Sequence, residues 1–290
     1  MRAPNRTSPT VSLEAELKTL WGATAWPFTA AVHKPYASTA FSETYDQLTQ
    51  LLAVKTSGVL SGPNGVGKSL LVSALLEQLP QKAYRTILLT HSSITAADLI
   101  RHLCRLQGIE TSNRRSDNVL ALRKQWTELH PAWPVLILEE AQNLSVTALE
   151  EVRLLAADRT DTQTPFSLLL VGDENLMARL LLGVNRPLLS RLGFCLSLSP
   201  WAPEDMQAYL RSRFQEASIH AEILEPQAEH LLVQAAGGIP RTVNHLAQRA
   251  MEHAARAHSK LITAEHVRRA LQQLPWLGRM PEGEGEARNS

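Results

Sequence analysis

Residues 61–69, which read SGPNGVGKS, constrain the fold more than any other part of the chain. They have the spacing G-x-x-x-x-G-K-S and lie between a predicted strand near 58–60 and a predicted helix over 68–79. A glycine-rich turn in that position lets successive backbone N–H groups surround a phosphate, while the helix presents its positive N-terminus. The stretch therefore predicts a strand, loop and helix that bind a nucleotide.

The loop residues have separate expected roles. We expect Lys68 to reach the β- and γ-phosphate oxygens and to assist catalysis, and Ser69 to ligate Mg²⁺, so the predicted cofactors are ATP and Mg²⁺. The bland alternative is a glycine-rich turn with an incidental lysine, and the flanking strand and helix favour the nucleotide site. The predicted nucleotide-binding residues are Gly62, Pro63, Asn64, Gly65, Val66, Gly67, Lys68, Ser69 and Leu70.

Two adjacent glutamates follow an apolar run in VLILEE, residues 135–140. The run lacks helical alternation and follows Pro134, which favours a buried parallel strand, and such strands deliver ligand-binding residues at their carboxyl ends. In nucleotide hydrolases with this loop, one carboxylate holds the Mg²⁺ shell and another group positions the attacking water. We assign these roles to Glu139 and Glu140; the alternative is two solvated carboxylates at a strand end.

Glu139 stands where aspartate is usual in such sites. The extra methylene moves the carboxylate by about 1.5 Å. Slow hydrolysis is therefore a further hypothesis.

A third polar segment follows the apolar run in LLLVGDENL. Asp173, Glu174 and Asn175 are candidates to sense the γ-phosphate. The segment equally fits a helix start whose acidic residues stabilise the positive end of the helix dipole.

The order of predicted elements indicates an α/β fold with a parallel sheet flanked by helices. The predicted strands are at 58–60, 84–90, 135–138, 166–172 and 194–199. After about residue 202 only helical periods occur, which predicts a small all-helical domain. The predicted divisions are a flexible segment at 1–25, an α/β nucleotide-binding domain at 26–201, a helical lid at 202–275 and a disordered tail at 276–290.

Composition narrows the setting. The chain has 290 residues, of which 44% are hydrophobic, and two cysteines, which predict neither a disulfide framework nor a zinc cluster. The beginning has no signal-like segment, and no stretch approaches the roughly 18 apolar residues of a membrane span. We therefore expect a cytoplasmic protein with no membrane partner.

Net charge is only +1, so nucleic-acid binding would need a local basic surface. Residues 101–124 carry six basic against two acidic side chains. A surface of this kind would bind phosphates without reading bases, and the alternative is a solvated helix pair. The predicted DNA-binding residues are Arg114, Arg115, Arg123 and Lys124.

The order of the loop, LILEEAQ, LLLVGDENL, LLSRLG and GGIPRTVNHL resembles that of AAA+ ATPases. Within them it is most similar to the ExeA/TnsC-like group of the initiator-like branch, which includes transposon-encoded ATPases, over residues 26–275. The resemblance implies that Arg191, with Arg186 as the alternative, is an arginine finger that reaches the γ-phosphate of a neighbouring subunit. It also implies that Arg241 is a second sensor of the nucleotide.

The resemblance implies an ATPase that assembles with ATP on double-stranded DNA as a ring or filament. Such a homo-oligomer would regulate or recruit a transposase or targeting protein for target-site selection. One alternative is an ExeA-type ATPase associated with secretion. Another is an ATP-dependent scaffold with very slow hydrolysis.

Overall fold

The computed structural model describes residues 17–28, 35–90, 95–157 and 164–274. They form two compact units. The first is Thr39–Ser199, and the second joins the described residues before 39 to those from Pro200 onward. The predicted tail at 276–290 and most of the predicted flexible segment at 1–25 lie outside the described residues.

Strands and helices alternate along the first unit. Its strands are β1 (Ser57–Ser61), β2 (Tyr84–Leu89), β3 (Trp133–Leu138), β4 (Ser167–Val171) and β5 (Leu192–Ser197). Its helices are α1 (Thr39–Ala53), α2 (Lys68–Gln78), α3 (Ala96–Leu106), α4 (Arg115–Glu128), α5 (Val146–Ala156), α6 (Glu174–Leu180) and α7 (Arg186–Leu189).

The strands form one parallel sheet in the order β2-β3-β4-β1-β5. β1 and β4 are buried along their whole length, and β3 is buried from its second residue. The outer strands β2 and β5 are partly exposed. Continuous apolar runs therefore occupy the middle of the sheet, where helices cover both faces. The predicted fold class, a parallel sheet flanked by helices, is confirmed.

The apolar core of this unit includes the inward side chains of β3 and β4 together with residues of α3, α4 and α5. Leu136, Leu138, Leu168 and Leu170 are at most 1% exposed. Trp126 of α4 packs edge-on against Phe166, with ring centroids 4.6 Å apart. This core holds α4 and α5 close to the sheet.

The second unit contains four helices among its residues from 200 to 274: α8 (Pro203–Glu216), α9 (Pro226–Ala236), α10 (Pro240–Arg256) and α11 (Ala264–Gln273). Three of them begin with proline, which suits a position whose N–H has no helical partner. α11 begins with a capping box between Thr263 and His266. Its core is a separate apolar cluster.

The N-terminal residues differ from their predicted division. Leu17, Trp21 and Phe28 are buried in the core of the second unit, and residues 17–21 are helical. The indole N–H of Trp21 donates to the carbonyl of Lys260 at 2.9 Å, and Arg213 Nε donates to the carbonyl of Pro27 at 2.7 Å. Residues 17–28 and 35–38 therefore pack with the helical unit, whereas we expected 17–25 to be flexible and the others to belong to the α/β domain.

No helix in the described ranges has the length and hydropathy needed to span a membrane.

Candidate nucleotide-binding site

The carboxyl ends of the three central strands meet at one edge of the sheet. Leu60 of β1 pairs with Val171 of β4, and Leu138 of β3 pairs with Leu170 of β4. β4 therefore lies between the strand before the glycine-rich loop and the strand before the acidic pair. The hydrogen bond from Gly172 N to the carbonyl of Leu60, 3.0 Å long, continues the pairing past the strand ends.

The loop at 62–67 needs its glycines for conformation and for space. Gly62, Gly65 and Gly67 have positive φ angles of 154°, 86° and 116°, which favour glycine. A Cβ atom at Gly62 would also overlap the carbonyl oxygen of Leu198. The loop can therefore turn sharply and bring its backbone close to a ligand.

α2 begins directly after this loop at Lys68, and no side chain caps its N-terminus. The first N–H groups of a helix have no partner within the helix and carry partial positive charge. Together with the positive-φ glycines, they form a cradle whose donors suit a phosphate group.

Lys68 and Ser69 occupy different environments. Lys68 is buried, and its Nζ donates to the carbonyls of Gly62 at 2.7 Å and Pro63 at 3.0 Å. These bonds hold the ammonium at the loop. Ser69, the next residue, is exposed, so its hydroxyl is accessible to a cation.

Glu139 and Glu140 follow β3 and also differ in environment. Glu139 is 9% exposed, and its N–H donates to the carbonyl of Leu89 at 2.8 Å, which extends the sheet pairing. Glu140 is exposed and has a φ of 51°, an uncommon conformation for a residue with a side chain. The two carboxylates are adjacent in sequence and differ in exposure.

The residues after β4 are bonded to one another. Asp173 caps α6 by accepting a hydrogen bond from the N–H of Asn175 at 2.9 Å, and the Asn175 amide also donates to Asp173 Oδ2 at 3.2 Å. Glu174 is exposed in the first turn of α6. The helix-start alternative therefore describes the geometry of Asp173, and the sensor role of all three residues stays a prediction.

Gln142, which the sequence analysis did not single out, connects two of these segments. Its Nε2 donates to Glu140 Oε2 at 2.8 Å, and its Oε1 accepts from the N–H of Asp173 at 3.3 Å. The sequence signal that could have found it is its place two residues after Glu140. Its partner after β4, however, is known only from the folded sheet.

The candidate finger residues lie near the beginning of β5. Arg186 is exposed at the beginning of α7, and Arg191 Nη1 donates to the carbonyl of Pro187 at 2.8 Å. A hydrogen bond from Arg153 lowers the pKa of Glu150, and the positive charge of Arg191 acts in the same direction.

Arg241 belongs to the helical unit. It is exposed in the first turn of α10, after Gly237 and Gly238, which have φ angles of 56° and 75°. Its role as a second sensor stays a prediction.

The four predicted DNA-binding residues are not alike. Arg115 forms an ion pair with Glu151, and Lys124 lies 3.8 Å from the carboxylate of Glu128. Arg123 Nη2 donates to the carbonyls of Leu154 at 2.6 Å and Ala157 at 2.9 Å.

The contacts of Arg123 satisfy carbonyl groups at the C-terminal end of α5. We expected Arg123 to belong to a solvent-facing basic surface, and its partly buried guanidinium instead has a structural contact. Arg114, in contrast, is exposed at the beginning of α4.

Residues 53–180 match the protein family described as AAA domain. Over 209 residues the chain is 30% identical to general secretion pathway protein A of Aeromonas hydrophila. That alignment covers 70% of this chain and 38% of the relative, so the chain spans well under half of that protein.

Three solved structures show a similar fold. Cdc6p from Pyrobaculum aerophilum has a TM-score of 0.70 at 18% identity, over 88% of this chain and 74% of that one. The Aeropyrum pernix ORC1 protein, solved in complex with DNA, has a TM-score of 0.63 at 17% identity, over 86% of this chain and 69% of that one. The RuvB Holliday junction branch migration motor of Thermotoga maritima has a TM-score of 0.53 at 16% identity, over 81% of this chain and 67% of that one. At these identities the likeness shows the AAA+ fold.

Proposed function

We propose that this chain, which carries an AAA domain with the AAA+ fold, binds Mg·ATP at the carboxyl edge of its sheet and hydrolyses it. The proposal depends on one observation. The glycine-rich loop with Lys68 and the Glu139–Glu140 pair follow strands that end at the same edge. The loop supports phosphate binding, and the exposed carboxylate of Glu140 adds a base for hydrolysis.

The residues have complementary roles in this proposal. The loop N–H groups and Lys68 bind the phosphates, while Ser69 and Glu139 would hold the cation. When bound, Mg²⁺ would supply positive charge that stabilises the reacting phosphates. Glu140 accepts a proton from the attacking water, whose oxygen bonds to the γ-phosphorus as the bond to the ADP oxygen breaks.

Substitution of Glu140 by glutamine tests the base. The amide is nearly isosteric but does not accept the proton, so single-turnover hydrolysis should fall by roughly 10²- to 10⁴-fold. Binding of a fluorescent ATP analogue should persist. Glu77→Gln, an exposed change on α2, is the matched control and should hydrolyse ATP normally. Normal turnover in Glu140→Gln would contradict the assignment.

The length of Glu139 is the basis of a finer proposal, that hydrolysis is slow and the nucleotide acts chiefly as a switch for assembly. Glu139 is buried, so its carboxylate has little freedom to adjust to a cation. Hydrolysis that is slow relative to assembly would leave an ATP-bound scaffold.

Self-association is the next part of the proposal. Leu181, Leu182 and Val184, between α6 and α7, are 61%, 52% and 59% exposed. A group of exposed apolar side chains is typical of an interaction surface. Because Arg186 and Arg191 follow it directly, a second copy seated there would bring its nucleotide towards a finger arginine, as the motif resemblance implies. The rate of hydrolysis per subunit should then rise with protein concentration, and Arg191→Ala should abolish that rise.

Double-stranded DNA is the proposed partner, and Arg241 the proposed nucleotide sensor of the helical unit. Two observations support DNA: a neighbour in fold was solved with DNA, and residues 101–124 carry an excess of basic side chains. Recruitment or regulation of a transposase or targeting protein is proposed from the motif order alone.

A secretion-associated ATPase is the second candidate, and the 30% identity to general secretion pathway protein A favours it. The two candidates differ in what they assemble on. Hydrolysis and electron microscopy with Mg·ATP should be compared in the presence and absence of duplex DNA. DNA-dependent rings or filaments would support the first candidate, whereas identical assembly and turnover without DNA would favour the second.

A further inference from the structure

Gln142 lies in the short 3-10 turn Ala141–Asn143, directly after the acidic pair. Its side-chain amide donates to the Glu140 carboxylate from Nε2 and accepts from the backbone N–H of Asp173 at Oε1. A carboxylate accepts hydrogen bonds and a backbone N–H donates them, so only one orientation of the amide satisfies both partners. The side chain thus links the residue after β3 to the residue after β4.

Gly172 provides the room for this link. A Cβ atom there would lie 2.6 Å from Gln142 Oε1 and 2.8 Å from Leu176 Cδ2. Gly172 is not among the glycines with positive φ, so its backbone does not demand glycine. A side chain at this position would therefore displace the Gln142 amide, Leu176 or both.

Glu140 is the residue that gains most from a fixed partner. Its backbone is left-handed, with a φ of 51°, and its side chain is exposed. An exposed carboxylate samples several rotamers unless a hydrogen bond selects among them. The bond from Gln142 ties Glu140 Oε2 to an amide that is itself bonded to the backbone at Asp173.

We propose that Gln142 is a positioning residue, which holds the Glu140 carboxylate for proton acceptance and couples it to the segment after β4. The inference rests on the proposed function, because it assigns Glu140 as the base. A shift at Asp173 in response to the γ-phosphate moves the acceptor end of the amide, and the donor end moves Glu140 with it.

Gln142→Ala removes both bonds. We expect kcat for ATP hydrolysis to fall roughly 10- to 100-fold, because a base misplaced by about 1 Å loses activity on that scale. The KM for ATP and the affinity for a fluorescent non-hydrolysable ATP analogue should stay within about twofold. Asn143→Ala, an exposed change in the same turn, is the matched control and should behave as the wild type.

Gln142→Glu separates the two bonds. The new carboxylate still accepts from the N–H of Asp173 but does not donate to Glu140, and the two negative charges repel each other. We therefore expect kcat to fall at least as far as in Gln142→Ala, while the KM for ATP stays within about twofold. A residue that only stabilised the turn would lower thermal stability and leave the kcat of the folded protein unchanged.

Gly172→Ala provides an independent test. It should lower kcat in the wild-type background. Part of this effect should disappear when Gln142 is already alanine, because the clash with the amide is then absent while the clash with Leu176 stays. Full additivity, or an unchanged kcat in Gln142→Ala or Gln142→Glu, would overturn the proposal. Should Gln142→Ala not fold, the kcat and KM of Gln142→Glu decide.

Failure of this inference is distinguishable from failure of the proposed function. If wild-type protein hydrolyses ATP and Glu140→Gln does not, the base assignment stands. A wild-type kcat in Gln142→Ala would then contradict only the positioning role of Gln142. Hydrolysis by Glu140→Gln at the wild-type rate would remove both.

Discussion

The sheet edge and the helix pair α3–α4 were both expected to bind phosphate groups, but their charged side chains have different surroundings. At the edge, Lys68 is buried and donates hydrogen bonds to loop carbonyls. Glu139 is also buried and follows β3, which is separated from β1 only by β4. In the helix pair, Arg115 and Arg123 contact α5 or the residue after it. A motif with fixed spacing specifies a backbone geometry, whereas an excess of charge does not specify its partners.

The largest expected effect in this comparison is at Lys68. Lys68→Ala removes a charge that the motif places at the phosphates, so kcat should fall by about 10²- to 10³-fold and ATP-dependent assembly on DNA should be lost. Single-turnover hydrolysis and electron microscopy with DNA measure both. Lys82→Ala, an exposed change after α2, is the control. Assembly of the Lys68 variant at the wild-type level would remove the nucleotide switch.

Glu139→Asp tests whether the length of this side chain at the sheet edge limits hydrolysis. If the longer side chain slows hydrolysis, aspartate should raise turnover by roughly 10-fold, since a shift of about 1 Å in a catalytic group changes rates on this scale. Turnover and the Mg²⁺ concentration for half-maximal activity are the measurements. A higher Mg²⁺ concentration for half-maximal activity, or a loss of Mg²⁺ binding, together with lower turnover would show that the pocket is adapted to glutamate.

Arg123→Ala tests whether the helix pair uses its charge for stability. Loss of the bonds to the α5 carbonyls should lower the free energy of unfolding by about 1–3 kcal/mol. The salt dependence of DNA binding should not change. Urea unfolding checks the first expectation, with Arg101→Ala, an exposed residue paired with Asp98 at 3.4 Å, as the control. Unchanged stability together with a flatter salt slope would reverse our interpretation.

Arg114→Ala should have the smallest effect of these substitutions. Unlike Arg123→Ala, it should change DNA binding and leave stability unchanged. One fewer phosphate contact should reduce the slope of log K against log salt by about 0.9, with no change in unfolding free energy. Binding to duplex DNA of two unrelated sequences at several salt concentrations measures this. An unaltered slope would assign Arg114 to solvent.

Much of the fold follows from local pattern. The run before Glu139 is apolar without alternation, and it becomes the buried strand β3. The glycines at 62, 65 and 67 predicted a tight loop, and each has a positive φ. These features were predictable because strand burial and glycine conformation depend on residues that are near one another in sequence.

Other features depend on contacts between distant segments. Trp21 and Phe28 are plainly apolar, yet only the packed structure shows that they join the core of the helical unit. Gln142 gains its acceptor role only because β4 lies next to β3. The sequence pattern alone does not show which of the two apolar cores a side chain joins, or which strand lies next to a given strand in the sheet.

The amino-acid sequence by itself determined the alternation of strands and helices, the glycine-rich loop and the placing of carboxylates after a buried strand. These follow from side-chain period, glycine conformation and the limits that proline sets on the backbone. Tertiary structure alone decided that Arg123 caps a helix and that Gln142 joins Glu140 to Asp173. Those bonds require groups from separate elements within about 3 Å, and only packing brings them to that distance.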